Sequence, residues 1–170
     1  MTLGQAMLVA EDFLQALGKL PEVKKISTAG SLRRQKETIR DIDILVISSS
    51  PQKVMQSFVK IPSVKDILAE GETKASVRTK DDCQVDCRVL EEKSFGAALL
   101  YFTGSKNFNI KLRQLAIKKG LKLNEYGLFR KDKFISGKTE EEMFRALGMS
   151  YIEPELREDT GEIELAKEFK

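Results

Sequence analysis

Apolar residues recur at positions 3, 6, 7, 10, 13, 14 and 17. That three-and-four spacing predicts an amphipathic helix over 3–17. The pattern then changes to short apolar runs. Val23 to Ala29 reads as a strand running into a Gly30-Ser31 turn. Arg33 to Arg40 is a polar loop, and residues 41–48 form the next strand. Ser50-Pro51 is a helix start, cap followed by Pro at the first helical position, opening a helix to about Lys60. Val64 to Ala69, Thr73 to Thr79 and Cys83 to Leu90 complete a set of about five strands, with Asp81-Asp82 as the turn before the last. Two helices and five strands within 1–90 predict helices layered on one mixed sheet. Beyond Lys93 the pattern differs. Ser94 to Tyr101 and Ser105 to Lys119 have helical periods, and Gly120 caps the second. Short strands are expected at 121–123, 126–129 and 133–135, and Thr139-x-x-Glu142 is a capping box for a helix to Leu147. The polar, acidic residues after Pro154 are expected to be loosely ordered. The chain therefore divides into subdomains 1–92 and 93–170, an α/β (α+β) arrangement overall.

Composition narrows the chemistry. The 170 residues are 41% hydrophobic, enough for one core or two small ones, and they contain no His. Ser-His and Cys-His catalysis are thereby excluded, and a zinc site is disfavoured. Cys83 and Cys87 share one strand face roughly 13 Å apart, too far for a mutual disulfide, and read as core residues. No apolar run is long enough for a membrane span, so a cytoplasmic protein without membrane partners is expected; a monomer is expected as well. The formal charge is only +3, but it is unevenly spread. From Lys106 to Lys133 nine Lys/Arg face two acids, a local net of +7; from Glu140 to Lys170 ten acids face four bases, a net of −6. A basic block of this kind fits a phosphate-backbone surface, or a solvated helix face.

The carboxylates change the picture most. In Arg40-Asp41-Ile42-Asp43-Ile44, strand alternation puts Asp41 and Asp43 on one face and Ile42 and Ile44 on the other. In Cys83-Gln84-Val85-Asp86-Cys87-Arg88, Asp86 faces away from Cys83, Val85 and Cys87. If the two strands are neighbours, Asp41, Asp43 and Asp86 form a triad. Adjacent carboxylates stay ionised cheaply only with a cation between them. Oxygen-only ligands suit Mg²⁺ or Mn²⁺, and three of them can hold two ions about 4 Å apart. The Gly30-Ser31 turn, with Arg33 and Arg34 behind it, is placed to hold phosphates. The combination points to metal-dependent nucleotidyl transfer.

These motifs resemble the family X DNA polymerases, the group that includes DNA polymerase β. Gly30-Ser31-Leu32-Arg33-Arg34, Asp41-Ile42-Asp43, Asp86, Tyr101-Phe102-Thr103-Gly104-Ser105 and Asn124-Glu125-Tyr126-Gly127-Leu128-Phe129 occur in the family's order and spacing, with wording similar to its bacterial and archaeal branch. The resemblance implies a nucleotidyltransferase-type palm, a mixed sheet flanked by two helices, followed by a small α+β thumb. It implies a DNA polymerase filling short gaps, with dNTP and primer–template DNA as partners and two Mg²⁺ (or Mn²⁺) ions. Asp41 and Asp43 would ligate both ions; Asp86 would ligate one and accept the primer hydroxyl proton. Gly30, Ser31 and Arg34 would bind the phosphates. Tyr101, Phe102, Thr103 and Gly104 would form the hinge and sugar contact. Asn109 and Arg113, four apart on one helix face, would reach the minor-groove edge. Lys106, Lys111, Lys118 and Lys119 would join Arg113 on DNA. Arg88 would be a switch, pairing with Asp43 in one state and with Glu125 and Tyr126 in another.

Some features depart from the family pattern. Gln84 stands where many eukaryotic members carry Arg, Lys106 replaces an acid, and the chain begins where members usually carry an Arg-Ile-Pro. Palm and thumb alone are expected, without lyase, fingers or metallo-hydrolase domains, in a minimal enzyme or an excised core. A small-molecule or non-templated nucleotidyltransferase is the alternative, since it shares the palm motifs but has no need of the basic block. A weakly active nucleotide-binding core is a further one.

Overall fold

The computed structural model describes residues 1–168, which form two compact units, Met1–Glu91 and the residues from Glu92 on. In the first unit, Thr2 and Gln5 make a reciprocal capping box that starts α1 (Leu3–Gly18). There follow β1 (Val23–Ala29), the one-turn α2 (Gly30–Arg33), β2 (Asp41–Ser48), α3 (Pro51–Val59), β3 (Val64–Glu70), β4 (Lys74–Thr79) and β5 (Gln84–Leu90). Their order in the sheet is β1-β2-β5-β4-β3. Only β2 and β5 run parallel; the other pairs are antiparallel. A parallel pair needs a long crossover, and here α3 with the β3–β4 hairpin supplies it.

Alternation decides which face is covered. Ile42, Ile44 and Val46 of β2, Ala75 and Val77 of β4, and Val85, Cys87 and Val89 of β5 are buried in one core with Ala6, Phe13 and Leu17 of α1 and Val54 and Phe58 of α3. The Phe13 and Phe58 rings meet at 5.5 Å. α1 and α3 thus close one face, and the carboxylates stand on the other. One local expectation is corrected. The Ser50 side chain does not cap α3. Its own N–H donates to Ser48 Oγ at 3.0 Å, and Pro51, with no N–H to satisfy, opens the helix.

The second unit contains α4 (Phe95–Thr103), α5 (Lys106–Lys118), the antiparallel sheet β6 (Lys122–Asn124), β7 (Gly127–Arg130) and β8 (Lys133–Ser136), then α6 (Glu140–Ala146) and α7 (Glu162–Glu168). Its core joins Ala97, Leu100, Phe108, Leu112, Leu128, Phe144 and Leu147. Thr139 Oγ1 accepts from the Glu142 N–H at 3.1 Å to start α6.

The segment after Pro154 is a correction. It was expected to be loose, yet Ile163 and Ala166 of α7 are buried in the core and Arg157 is fully buried. Arg157 forks onto Glu140 at 2.7 and 3.2 Å, donates Nε–H to the Ile152 carbonyl at 3.0 Å, and lies over the Phe108, Phe144 and Tyr151 rings. A buried guanidinium needs its donors satisfied and its charge answered, and these contacts do both. Among the described residues no helix is long and apolar enough to cross a membrane.

Candidate active site

The palm-like site is built from strand register. Asp43 of β2 stands level with Asp86 of β5 on one side and with Ala29 of β1 on the other. Asp41 stands level with Gln84. Neighbouring strands lie about 4.8 Å apart, so the Asp43 and Asp86 carboxylates are neighbours on the open face. Ala29 leads directly into Gly30, whose φ of +65° gives the chain a left-handed step that a side chain would resist. That step turns β1 into α2, with Ser31 in its first turn. Arg34 follows at the end of α2, and its N–H returns to the Gly30 carbonyl at 3.2 Å.

Charge is unbalanced here. Asp43 is raised above its ordinary 3.8, first by burial, then by Asp86, with Asp41 adding to it and Arg88 opposing it. The Arg88 guanidinium lies 3.5 Å from Asp43 Oδ1. Gln84 Nε2 donates to Asp86 Oδ1 at 3.0 Å. The carboxylates are thus held by an arginine and an amide, and among the described residues no group of three acidic or cysteine side chains is arrayed as a ready cation site. The donor set itself, three carboxylates without His, fits a hard divalent ion, and the penalty on the charge of Asp43 is what such an ion relieves. The cysteines play no part. Burial pushes the Cys83 thiol up to about 11 and the Cys87 thiol up to about 12, so both stay protonated.

The remaining candidate residues lie in the second unit. Tyr101, Phe102 and Thr103 form the last turn of α4, and Gly104, at φ +68°, ends it. Asn109 Nδ2 donates to the Tyr101 carbonyl at 2.7 Å, tying α5 to that turn. Asn109 and Arg113 border a small hollow with Tyr101, Leu123 and Asn124. Lys106, Lys118 and Lys119 are exposed. Glu125 and Tyr126 sit in the β6–β7 turn. There Asn124 Oδ1 accepts from the Tyr126 and Gly127 N–H groups, and Ser94 Oγ donates to the Tyr126 carbonyl at 2.7 Å. The Tyr126 ring is 60% exposed.

Lys111, expected on DNA, stands apart from the other candidates on α5. Two residues from Asn109 and Arg113, it faces away from both, and it pairs with Glu164 and with Asp159 at 3.2 Å.

Comparison with known proteins decides the family. Residues 98–158 match the DNA polymerase beta thumb model. A "Repair DNA polymerase X" of African swine fever virus is 34% identical over 147 residues, 79% of this chain and 82% of the viral one. The chain belongs to the family X DNA polymerases. A "DNA polymerase/3′-5′ exonuclease PolX" of Bacillus subtilis is also 34% identical, over 95% of this chain, but this chain spans only 29% of that relative's length. Among solved structures, the Leishmania infantum polymerase beta in a ternary P/T complex superposes with a TM-score of 0.75 at 27% identity, over 93% of this chain and 76% of that one. The palm-and-thumb fold class of family X is therefore the fold of this chain.

Two features escaped the sequence reading. The Gln84–Asp86 hydrogen bond was missed although both residues were singled out. They are two apart on one face, which was the available signal. The other is the pairing of Arg78 on β4 with Gln84. That pairing is non-local and only the sheet order reveals it.

Proposed function

We propose that this chain is a DNA-directed DNA polymerase that adds nucleotides from dNTPs to a primer 3′-hydroxyl in short-gap repair. The observation carrying the reading is the row formed by Ala29, Asp43 and Asp86, which sets the Gly30-Ser31 turn beside the Asp43 and Asp86 carboxylates. Asp41 and Asp43 would hold two divalent ions, Mg²⁺ or Mn²⁺, with Asp86 a further ligand of one. Bound there, the ions would neutralise the triphosphate and lower the pKa of the primer hydroxyl.

The chain's own residues would do the rest. Ser31 and Arg34 hold the β and γ phosphates, the Gly30 turn letting backbone N–H groups approach. The primer 3′-oxygen forms a bond to the α-phosphorus in line as the bond to pyrophosphate breaks, and the hydroxyl proton passes to Asp86. Arg88 holds Asp43 in the metal-free protein and releases it when ions arrive. Tyr101 to Gly104 contact the sugar, Asn109 and Arg113 the minor-groove edge, and Lys106, Lys118 and Lys119 the backbone phosphates. The protein would work as a cytoplasmic monomer.

Primer extension on gapped and open templates, with Mg²⁺ and with Mn²⁺, tests this. Extension of gapped substrates, lost in Asp86→Ala, is expected. A folded protein that extends no primer with either ion would overturn the proposal.

A further inference from the structure

Arg78 has no role in the site so far. It lies on β4, level with Gln84 of β5, which is itself level with Asp41 of β2. Ser76 stands in the next row, level with Asp86. Ala75 and Val77 point into the core, so Ser76 and Arg78 point to the carboxylate face. Two rows therefore cross the sheet: Arg78, Gln84, Asp41, and Ser76, Asp86, Asp43. The phosphate-binding turn closes the second row at its β1 end. A triphosphate seated there occupies the β1 side of the carboxylates, so the strand bearing the attacking hydroxyl must come in from the opposite side, over β5 and β4. On that side, Arg78 is level with the start of the carboxylate strand, about two strand spacings, or 10 Å, from Asp41 at the backbone.

Its present contact is weak. Nη1 lies 3.3 Å from Asp82 Oδ1, Asp82 is 83% exposed in the β4–β5 turn, and Arg78 is itself 37% exposed. An exposed pair of this kind contributes little to stability, so the guanidinium can be recruited at small cost.

We propose that Arg78 is a positioning residue for the primer strand, forking onto a backbone phosphate upstream of its 3′-terminus. The inference rests on the polymerase reading above. It assigns a cation that fixes the primer strand on that side. A guanidinium suits the task, since its planar fork matches two phosphate oxygens and it never loses its charge.

The test compares Arg78→Ala, Arg78→Lys and Asp82→Ala in the full chain. Primer–template affinity is read by fluorescence anisotropy over a range of salt, and dNTP KM and extension rate are read on the same substrate. Arg78→Ala should weaken DNA binding roughly tenfold, lower the salt slope by about one, and leave dNTP KM unchanged. Arg78→Lys should recover part of the affinity and all of the slope. Asp82→Ala should bind DNA as well as wild type or better, because it frees the guanidinium. If Arg78 serves only its hairpin, Asp82→Ala will reproduce the loss seen in Arg78→Ala, and the proposal falls. Unchanged affinity and slope in Arg78→Ala, with wild type extending primers normally, also overturns it while leaving the polymerase reading intact. Absence of extension by wild type overturns that reading instead, and the primer assignment with it.

Discussion

At the scale of single residues, Asp43 ties charge to stability. Below its ordinary 3.8 the carboxyl is protonated in the folded and the unfolded chain alike, and its folded value lies higher, through burial first and Asp86 second. As pH rises between the two values the unfolded chain gives up its proton first, so the contribution Asp43 makes at low pH is lost as pH passes its folded value. Asp86→Asn removes the second cause. Asp43 should then titrate lower, and the metal-free variant should be more stable than wild type at pH 7, an advantage that shrinks as pH falls through 3.8. Arg88→Ala removes the opposing cation, and Asp43 should titrate higher. Carboxyl-carbon NMR titrations and urea unfolding at pH 7 and pH 3.5 measure both. Extension by Asp86→Asn should fall by at least 10²-fold, roughly the scale of a lost general base. A variant less stable than wild type at pH 7 would show that Asp86 is structural, not a repelled ligand.

At the scale of elements, what a helix touches outweighs its own propensities. Gly96 lies in α4, where alanine ordinarily gains about 1 kcal/mol. Here a Cβ would lie 2.3 Å from the carbonyl carbon of Thr139 at the start of α6. Gly96→Ala should therefore destabilise the protein by about 2 kcal/mol in denaturant unfolding, with a backbone in the way and no side chain to yield. Helix α5 divides in the same manner. Lys118 and Lys119 are exposed, whereas Lys111 is engaged by the α7 segment. Changing Lys118 and Lys119 to Ala should lower the slope of DNA affinity against salt by about two, roughly 0.9 for each lost phosphate. Lys111→Ala should leave the slope unchanged. The period of α5 and its cap at Ser105 were legible in sequence because both signals are local. The division of its lysines was not, because it depends on α7, whose few apolar positions are interspersed with charged residues. Arg157 escaped for the same reason. One arginine in an acidic stretch reads as solvated, and only the fold brings Phe108, Phe144 and Glu140 around it.

At the scale of the whole chain, the fold class, the family and the carboxylate motif were legible because they rest on alternation and fixed spacing. The β2–β5 pairing that makes Asp86 a neighbour of Asp43 was conditional in sequence, since parallel strands are joined across a long crossover and carry no local mark. Charge alone would even misplace a cation. Ten of the acids lie between Glu140 and Lys170, against three in the triad, so charge count alone would draw a divalent ion to the C-terminal segment. Contacts in the fold argue otherwise. Glu140 is bound by Arg157, Asp159 and Glu164 by Lys111, and Glu162 accepts the Asp159 and Thr160 N–H groups at 2.8 and 2.6 Å. The triad has one arginine and one amide against three carboxylates, and Asp43 is raised by burial first and by Asp86 second. Mn²⁺ added to the labelled protein should therefore broaden NMR signals around Asp41, Asp43 and Asp86 before those of 153–164. Binding should be weak in the free protein, because Arg88 must leave Asp43, and should tighten when dNTP adds its own oxygens. Arg88→Ala should bind Mn²⁺ more tightly than wild type without nucleotide. Broadening that begins at the C-terminal acids, or an Arg88→Ala protein that binds Mn²⁺ more weakly, would show that the triad is not the ion site.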